Sequence, residues 1–341
     1  MGDTEGSRTH AAGVRDVAAL AGVSRQTVSR VLNEHPDVAP ATREKVLAAM
    51  SRLDYRVNTA ARALGTRRSW TIGVLASDVL QFGPLRSLAA LEASAREAGY
   101  WVSTAFADAG DPASVLRAID HLRTQAVDGL VVFAPHARTL DALEALDIEI
   151  PRVLLHTAGR DRPAFTVDQI AGARMAVAAL AERGHERIAH LSGPADWLEA
   201  EARVTGFRAE LAARGLPEGV VLPGDWTPRA GFAAARAVHG SGVTGVFAAN
   251  DQMALALMSG LRSLGIAVPE DVSVVGFDDI PDAEYSWPSL TTVRQDFEEL
   301  ARRAVAVLTG SSSGEEDPVQ PVLITRESVV PPGRDPRRIA T

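Results

Sequence analysis

The sequence predicts an α/β protein in which a small all-α head precedes a larger body built as two similar lobes. Two observations predict it. From Trp70 onward, β-rich runs alternate with helical stretches, at Thr71–Ala76, Trp101–Ala107, Gly129–Ala134 and Arg152–His156, then at Arg187–Ser192, Val243–Ala249 and Val272–Phe277. Such alternation argues for parallel sheets covered by helices, and its recurrence before and after about Val167 argues for two lobes. Before Trp70 the apolar residues follow only helical spacing. A chain of 341 residues is also too long for one ordinary core.

Composition narrows the setting. With 46% hydrophobic and 23% charged residues the chain reads as a globular protein, and its lack of cysteine removes disulfides and thiolate chemistry. No apolar run reaches the roughly 18 residues of a membrane span, and Met1 to His10 lacks the apolar region of a signal peptide, so the expected location is the cytoplasm, with no membrane partner. Charge is divided unevenly. Residues 1–68 hold 11 Lys plus Arg against 7 Asp plus Glu, a net of +4; the remainder holds 24 against 36, a net of -12. A basic head on an acidic body suits a module that meets phosphates joined to a separate regulatory domain.

In the head, Val14, Val17, Ala18 and Ala21 form a helical stripe that Gly22-Val23 interrupts. Ser24 can cap the next helix, whose stripe is Val28, Val31 and Leu32. Two short helices joined by a glycine turn make a helix-turn-helix. Pro40 suits the first turn of a third helix with Val46, Leu47, Met50 and Leu53 facing inward, although Ala39 is a poor cap. Arg25 and Gln26, in the first turn of the second helix, point away from its stripe. Arginine pairs with guanine and glutamine with adenine in the major groove, each for about 1–3 kcal/mol of discrimination. Arg30 would read a base or a phosphate, Ser24, Thr27 and Ser29 suit phosphates, and Asn33 closes the DNA-facing set. Any one of these alone is more readily an ordinary exposed helix residue.

The run from Val14 through Ala-Gly-Val-Ser-Arg-Gln-Thr-Val-Ser-Arg-Val-Leu to Asn33, followed by Thr42-Arg-Glu-Lys-Val46 and Leu53-Asp-Tyr55, strongly resembles the head of the lactose- and galactose-repressor family. The resemblance implies a transcriptional regulator whose homodimer binds double-stranded, pseudo-palindromic operator DNA. It implies a hinge helix entering the minor groove, here Asn58 to Arg68, with Asn58, Ala61 and Leu64 as contacts and Leu64 as a wedge that unstacks base pairs. Val57 departs from the family's usual proline. It further implies a two-lobed periplasmic-binding-protein-like core up to about Pro332, crossed by the chain near Val167, Asp296 and Leu323. The expected divisions are a disordered 1–13, a helix-turn-helix domain at 14–57, a hinge at 58–69 and a core at 70–332. Lobe 1 takes 70–166 and 296–322, lobe 2 takes 167–295 and 323–332, and 333–341 is a disordered tail without heptads.

Ligands of open parallel sheets sit beyond the carboxyl ends of strands. Those ends are polar here: Ser77 and Asp78, Asn250 and Asp251, Asp278 and Asp279. Carboxylates and amides suit paired sugar hydroxyls, Arg203 adds a fork of donors, and Trp226 and Phe297 could cover a sugar ring. Any single Asp there is as readily a loop cap, and Trp226 as readily core. The stretches Gly224-Asp-Trp226, Ala249–Ala254, Val274–Asp279 and Leu290–Phe297 resemble the galactoside-binding members of the family more than the purine-binding ones. By position that resemblance assigns inducer contacts to Ser77, Arg203, Trp226, Asn250, Asp278 and Phe297. His156 stands where those members have an acidic residue, and Gln81 replaces an apolar one. The expected effector is a small, galactoside-like sugar held by these residues and Asp78. The opposite sign, a corepressor, and a transport receptor are the alternatives.

Enzyme readings fare poorly, and neither cofactor nor metal is expected. Lys45 is the one lysine, so no phosphate loop of the GK[ST] type exists. His185, Glu186 and His190 imitate a zinc helix, but five residues separate the histidines and 188–191 reads as a strand.

Overall fold

The computed structural model describes residues 12–32, 35, 37–55, 68–77, 81–108, 111–144, 148–158, 165–312 and 317–333. The expectations placed on Asn33, Asn58, Ala61, Leu64 and Asp78, and on nearly all of the hinge and both termini, lie outside these residues. The chain forms two compact units, Met1–Ser69 and Trp70–Thr341.

The first unit packs α1 (Val14–Ala21), α2 (Arg25–Leu32) and α3 (Pro40–Arg52) around a core of Val17, Ala18, Val28, Val31, Val46 and Ala49. Gly22, in the left-handed conformation at φ 68°, ends α1, and the Val23 amide returns to the Ala18 carbonyl at 3.0 Å. A residue with a Cβ is strained there, which is why the turn takes glycine. Ser24 caps α2 as expected, its Oγ accepting from the Thr27 amide at 3.0 Å. One expectation fails. Leu47 is 52% exposed and Ala49 takes the inward place, because the spacing of Val46, Ala49 and Met50 turns position 47 out of the stripe.

The second unit carries two sheets. In the first, β1 (Thr71–Ala76), β2 (Trp101–Phe106), β3 (Gly129–Phe133) and β4 (Arg152–Leu155) lie parallel in the order β2-β1-β3-β4. The second has the order β10-β9-β8-β7-β5-β6, from β5 (Ile188–Leu191), β6 (Val221–Leu222), β7 (Gly245–Ala248), β8 (Ser273–Asp278), β9 (Thr291–Arg294) and β10 (Val322–Ile324). Only β10 runs antiparallel to its neighbour. Strands β3, β5, β7 and β8 are buried throughout, which is why they read in the sequence as largely apolar runs.

Helices α4 (Phe82–Glu97), α5 (Pro112–Thr124) and α6 (Ala137–Glu144) belong to the first lobe. The second has α7 (Gln169–Ala181), α8 (Leu198–Ala213), α9 (Pro228–Ser241), α10 (Asp251–Ser263) and the short α11 (Pro281–Tyr285). Helix α12 (Phe297–Leu308) follows β9 of lobe 2 in sequence but buries Leu300, Ala301, Ala304 and Val305 in the core of lobe 1. The chain passes between lobes at Val167, which bridges Val319. It passes again between Arg294 and Phe297, and a third time before β10. The lobes also touch directly: the Leu198 amide donates to the Pro135 carbonyl at 2.8 Å, and Arg138 pairs with Asp196 at 2.7 Å.

The three-helix core is small, so each member matters. Val46→Ala should lower the local opening free energy of 14–55 by about 1–2 kcal/mol, the usual loss for removing buried methyl groups. Leu47→Ala should leave it within about 0.5 kcal/mol. Hydrogen exchange of peptides from this segment, followed by mass spectrometry in the full chain, checks both.

Candidate nucleic-acid interface and effector cleft

The surface of the first unit follows from how α2 is held. Val28 and Val31 face the core, so Arg25, Gln26, Ser29 and Arg30 are exposed on the other side, with Ser24 at the cap and Thr27 half-buried. The Ser24 and Thr27 hydroxyls lie 2.9 Å apart. Two planar, hydrogen-bonding side chains on the first turn of a rigidly docked helix can reach groove edges while the hydroxyls beside them meet phosphates.

In the second unit a cleft opens at the carboxyl ends of the strands. Gln81, Phe82, Gly83 and Pro84 line it from lobe 1; Trp197, Glu199, Arg203, Trp226, Asn250, Asp278 and Gln295 line the rest. Of the residues expected from sequence, Gln81, Arg203, Trp226, Asn250 and Asp278 thus come together. Three do not reach the lining. Ser77 follows β1 but is buried, with no partner for its Oγ among the described residues. Phe297 is 3% exposed and packs edge-on beneath Phe82, which presents its own ring instead. His156 is 1% exposed; its Nδ1 meets Glu199 Oε1 at 3.0 Å and its Nε2 meets Ser87 Oγ at 3.1 Å. The other strand-end acids are structural. Asp251 accepts from the Ile280 amide and the Thr292 hydroxyl, and Asp279 pairs with Arg294 and Arg326.

Sequence reasoning missed Glu199, Gln295, Trp197 and the Phe82 turn. Glu199 lies one helical turn before Arg203 on α8, so the spacing alone places both on one face. Gln295 sits inside the Leu290–Phe297 stretch already singled out, and joins the site by donating to Asp278 Oδ1 at 2.7 Å.

Burial dominates the electrostatics. Arg203 is 3% exposed, donates from Nε to Gln169 at 2.9 Å and from Nη1 to the Ala249 carbonyl, and lies 3.9 Å from the Phe277 ring centre. Burial lowers its pKa, opposed by Asp278, Glu199 and Asp251. Burial also pushes Asp278 up to about 7, with Glu199 adding to the rise and Arg203 and Gln295 only partly offsetting it. For Glu199 burial raises the pKa too, but the charge and hydrogen bond of His156, together with Arg203, outweigh it and hold the carboxyl below its ordinary value. The near-zinc histidines spend themselves inside lobe 2. His185 bonds the Thr244 hydroxyl and the Val330 carbonyl, while His190 stacks between Phe207 and Phe247 and is pushed down to about 3, chiefly by burial.

Shape depends on strain and close approach. His156, Trp226, Asp278 and Asp279 all adopt positive φ, a conformation costly for residues with a Cβ and concentrated here at strand ends bordering the cleft. Gly193 leaves room for the Trp226 ring, whose atoms lie 2.2 Å from where a Cβ would stand.

Comparison with known proteins decides the relationship. Residues 14–58 match the family described as bacterial regulatory proteins, lacI family, and residues 177–331 match the periplasmic binding protein-like domain. The lactose operon repressor of Escherichia coli (strain K12) is 33% identical over 336 residues, covering 95% of this chain and 93% of that protein. The chain belongs to the lacI family of bacterial regulatory proteins. The HTH-type transcriptional regulator CelR of Thermobifida fusca is 37% identical over 324 residues, covering 91% of this chain and 94% of its own length. The crystal structure of the lac repressor dimer bound to operator and the anti-inducer ONPF superposes with a TM-score of 0.83 at 32% identity, over 94% of this chain and 100% of that one. A CelR–cellobiose complex superposes at 0.65 and 33% identity, over 93% and 99%. As a lacI-family member the chain is a DNA-binding transcription regulator, and the transport-receptor alternative falls away. Among the described residues no helix is long and apolar enough to cross a membrane.

The position of Asp278 has a measurable effect on stability. The folded chain keeps its proton up to about pH 7, whereas an unfolded chain loses it near the ordinary 3.8. Between those values the folded state binds more protons, so stability falls as pH rises through the window and levels off above it. Asp278→Asn should remove that slope. In calorimetric scans of ligand-free protein, the Tm of the variant relative to wild type should climb between about pH 4 and pH 7 and stay flat beyond.

Proposed function

We propose that the protein is an effector-controlled repressor acting in the cytoplasm by binding, without catalysis. A homodimer grips a pseudo-palindromic operator through paired α2 helices, and a small sugar in the cleft, galactoside-like in its hydroxyl pattern, releases it. The observation that carries this reading is the convergence of Arg203, Trp226, Asn250 and Asp278, from four separated stretches of sequence, on one cleft between the lobes. Fixed acceptors and donors beside aromatic walls suit a ring whose edges carry hydroxyls and whose faces are apolar. The named relatives support a sugar: lactose operon repressor, ribose operon repressor, and a CelR complex with cellobiose.

Exposed aromatics support the homodimer. Edge strand β2 presents Trp101 and Phe106 at 66% and 63% exposure, and Tyr285 and Trp287 stand out from lobe 2 at 81% and 85%. Large apolar side chains beside an unpaired strand edge are an aggregation hazard unless covered, and a symmetric copy covers both patches at once.

An effector changes operator affinity only through unequal affinity for the DNA-bound and DNA-free states, so a releasing sugar binds the free state more tightly. The 58–68 segment suits such a switch. It is short, includes Gly65 and has few apolar residues to hold a helix by itself.

Titrating full-length protein into a labelled palindromic duplex, with and without galactosides, tests this reading: the midpoint should move to higher protein concentration as sugar is added. Tighter binding with sugar would make the ligand a corepressor, and an unchanged midpoint across sugars would remove the effector claim. In the same assay Arg25→Ala should relax base preference at one position of each half-site, at a cost of about 1–3 kcal/mol for the preferred operator. Unaltered preference would show that another residue reads that base.

A further inference from the structure

The cleft is unbalanced in charge. Two carboxylates, Glu199 and Asp278, and one guanidinium, Arg203, are its ionisable lining. Arg203 has already given Nε to Gln169 and Nη1 to the Ala249 carbonyl, so two of its three nitrogens are engaged. The carboxylates are each half-used. Glu199 Oε1 accepts from His156 at 3.0 Å and from Gln169 at 3.3 Å, whereas Oε2 stands 3.8 Å from Arg203 Nη2, too far for a hydrogen bond. Asp278 gives Oδ1 to Gln295, and its Oδ2 takes no hydrogen bond from the described residues. Glu199 Oε2 and Asp278 Oδ2 are thus open acceptors in the lining, while Arg203 keeps Nη2 outside any hydrogen bond to the described residues.

Glu199 is also fixed across the lobes. It stands on α8 in lobe 2, while His156 ends β4 in lobe 1, held by Ser87 on its other nitrogen and by Phe133 at 5.3 Å between ring centres. A carboxylate serving only as a partner for His156 would be expected away from the ligand space. This one lines the cleft beside a second carboxyl, Asp278, an arrangement that like-charge repulsion opposes when both are ionised unless hydroxyl donors enter between them.

We propose that Glu199, positioned by His156, is the residue that selects effectors by charge: with Asp278 it accepts hydrogen bonds from the hydroxyls of an uncharged polyol and turns away anionic sugars, sugar phosphates and uronates included. The inference rests on the sugar reading above and narrows it to a chemical class. His156 acts through Glu199 as a positioning residue and does not touch the ligand.

Calorimetric titration of the full-length protein with galactose and glucose methyl glycosides, and with the 6-phosphates and uronates of the same rings, tests it. Whichever ring binds, the uncharged form should bind at least about tenfold more tightly than its anions. Glu199→Gln should weaken the uncharged form about tenfold and shrink its margin over the anions. His156→Gln, which keeps an N–H donor, should retain more of that margin than His156→Ala. Circular dichroism checks that the variants fold, and the wild-type comparison of charged with uncharged ligands needs no variant. An anion binding as tightly as its uncharged parent, or a Glu199→Gln margin equal to wild type, overturns the inference and leaves the sugar reading standing. Binding of none of these sugars overturns the sugar reading itself, and this inference with it.

Discussion

A guanidinium buried at the floor of a cleft sets the terms for everything around it. Taking Arg203 out of water is expensive unless each of its donors and its charge are met, and a half-met ion in a low-dielectric interior is worse than none. The chain meets it with an amide oxygen from α7, a carbonyl at the end of β7, carboxylates from α8 and β8, and two aromatic faces. Four elements of lobe 2 are thereby tied to one side chain. The carboxyl ends of the strands and the amino ends of the helices must open on the same point, and parallel strands bring this about, since all their carbonyl ends lie at one edge of the sheet.

That requirement also accounts for the strain. Non-glycine residues at positive φ persist only where the surroundings over-determine them, and His156, Trp226 and Asp278 each meet a fixed partner. The Trp226 carbonyl accepts from Asn250, His156 spans Ser87 and Glu199, and Asp278 takes the Gln295 amide. The cleft is therefore rigid where it touches ligand on the lobe 2 side. Rigidity of this kind lets a small molecule be read by its hydroxyl positions, because the groups that meet them lose little freedom on binding.

How legible this was in the sequence depended on how local each determinant is. Helices α1 and α2, with Gly22 and Ser24 between them, are fixed by residues adjacent in the chain, and so are the buried strands that read as apolar runs. Strands β6, β9 and β10 escaped notice because they are short and owe their existence to partners far along the chain. Thr291 and Thr292 are buried polar residues whose hydroxyls serve the Arg326 amide and Asp251, a pattern no periodicity reveals. In the cleft, positions at strand ends could be inferred from topology, yet which side chain of a pair faces ligand could not. Asp278 faces the cleft and Asp279 turns to Arg294 and Arg326; Phe82 takes the wall expected of Phe297, since which of two edge-on phenylalanines lies outermost is decided by packing alone.

The two sides of the cleft contribute unequally, and that bears on how occupancy could be transmitted. Among the described residues, the lobe 1 part of the lining, Gln81 to Pro84, belongs to the start of α4, and Gln81 leaves that helix without a side-chain cap. Contact with lobe 1 thus passes through one helical end, whose uncapped turn favours electron-rich ligand oxygens. Shifting a two-state protein from 1:99 to 99:1 takes about 5.5 kcal/mol of difference in affinity. Hydrogen bonds to the lobe 2 floor, which is over-determined, are nearly the same in any arrangement of the lobes and contribute little to that difference. The discriminating part must come from what the ligand adds by reaching the α4 end and the His156–Glu199 bridge together, the two places where lobe 1 meets the ligand space or its lining. A ligand too small to span them would bind without switching, so affinity and regulatory effect are separable properties of this cleft.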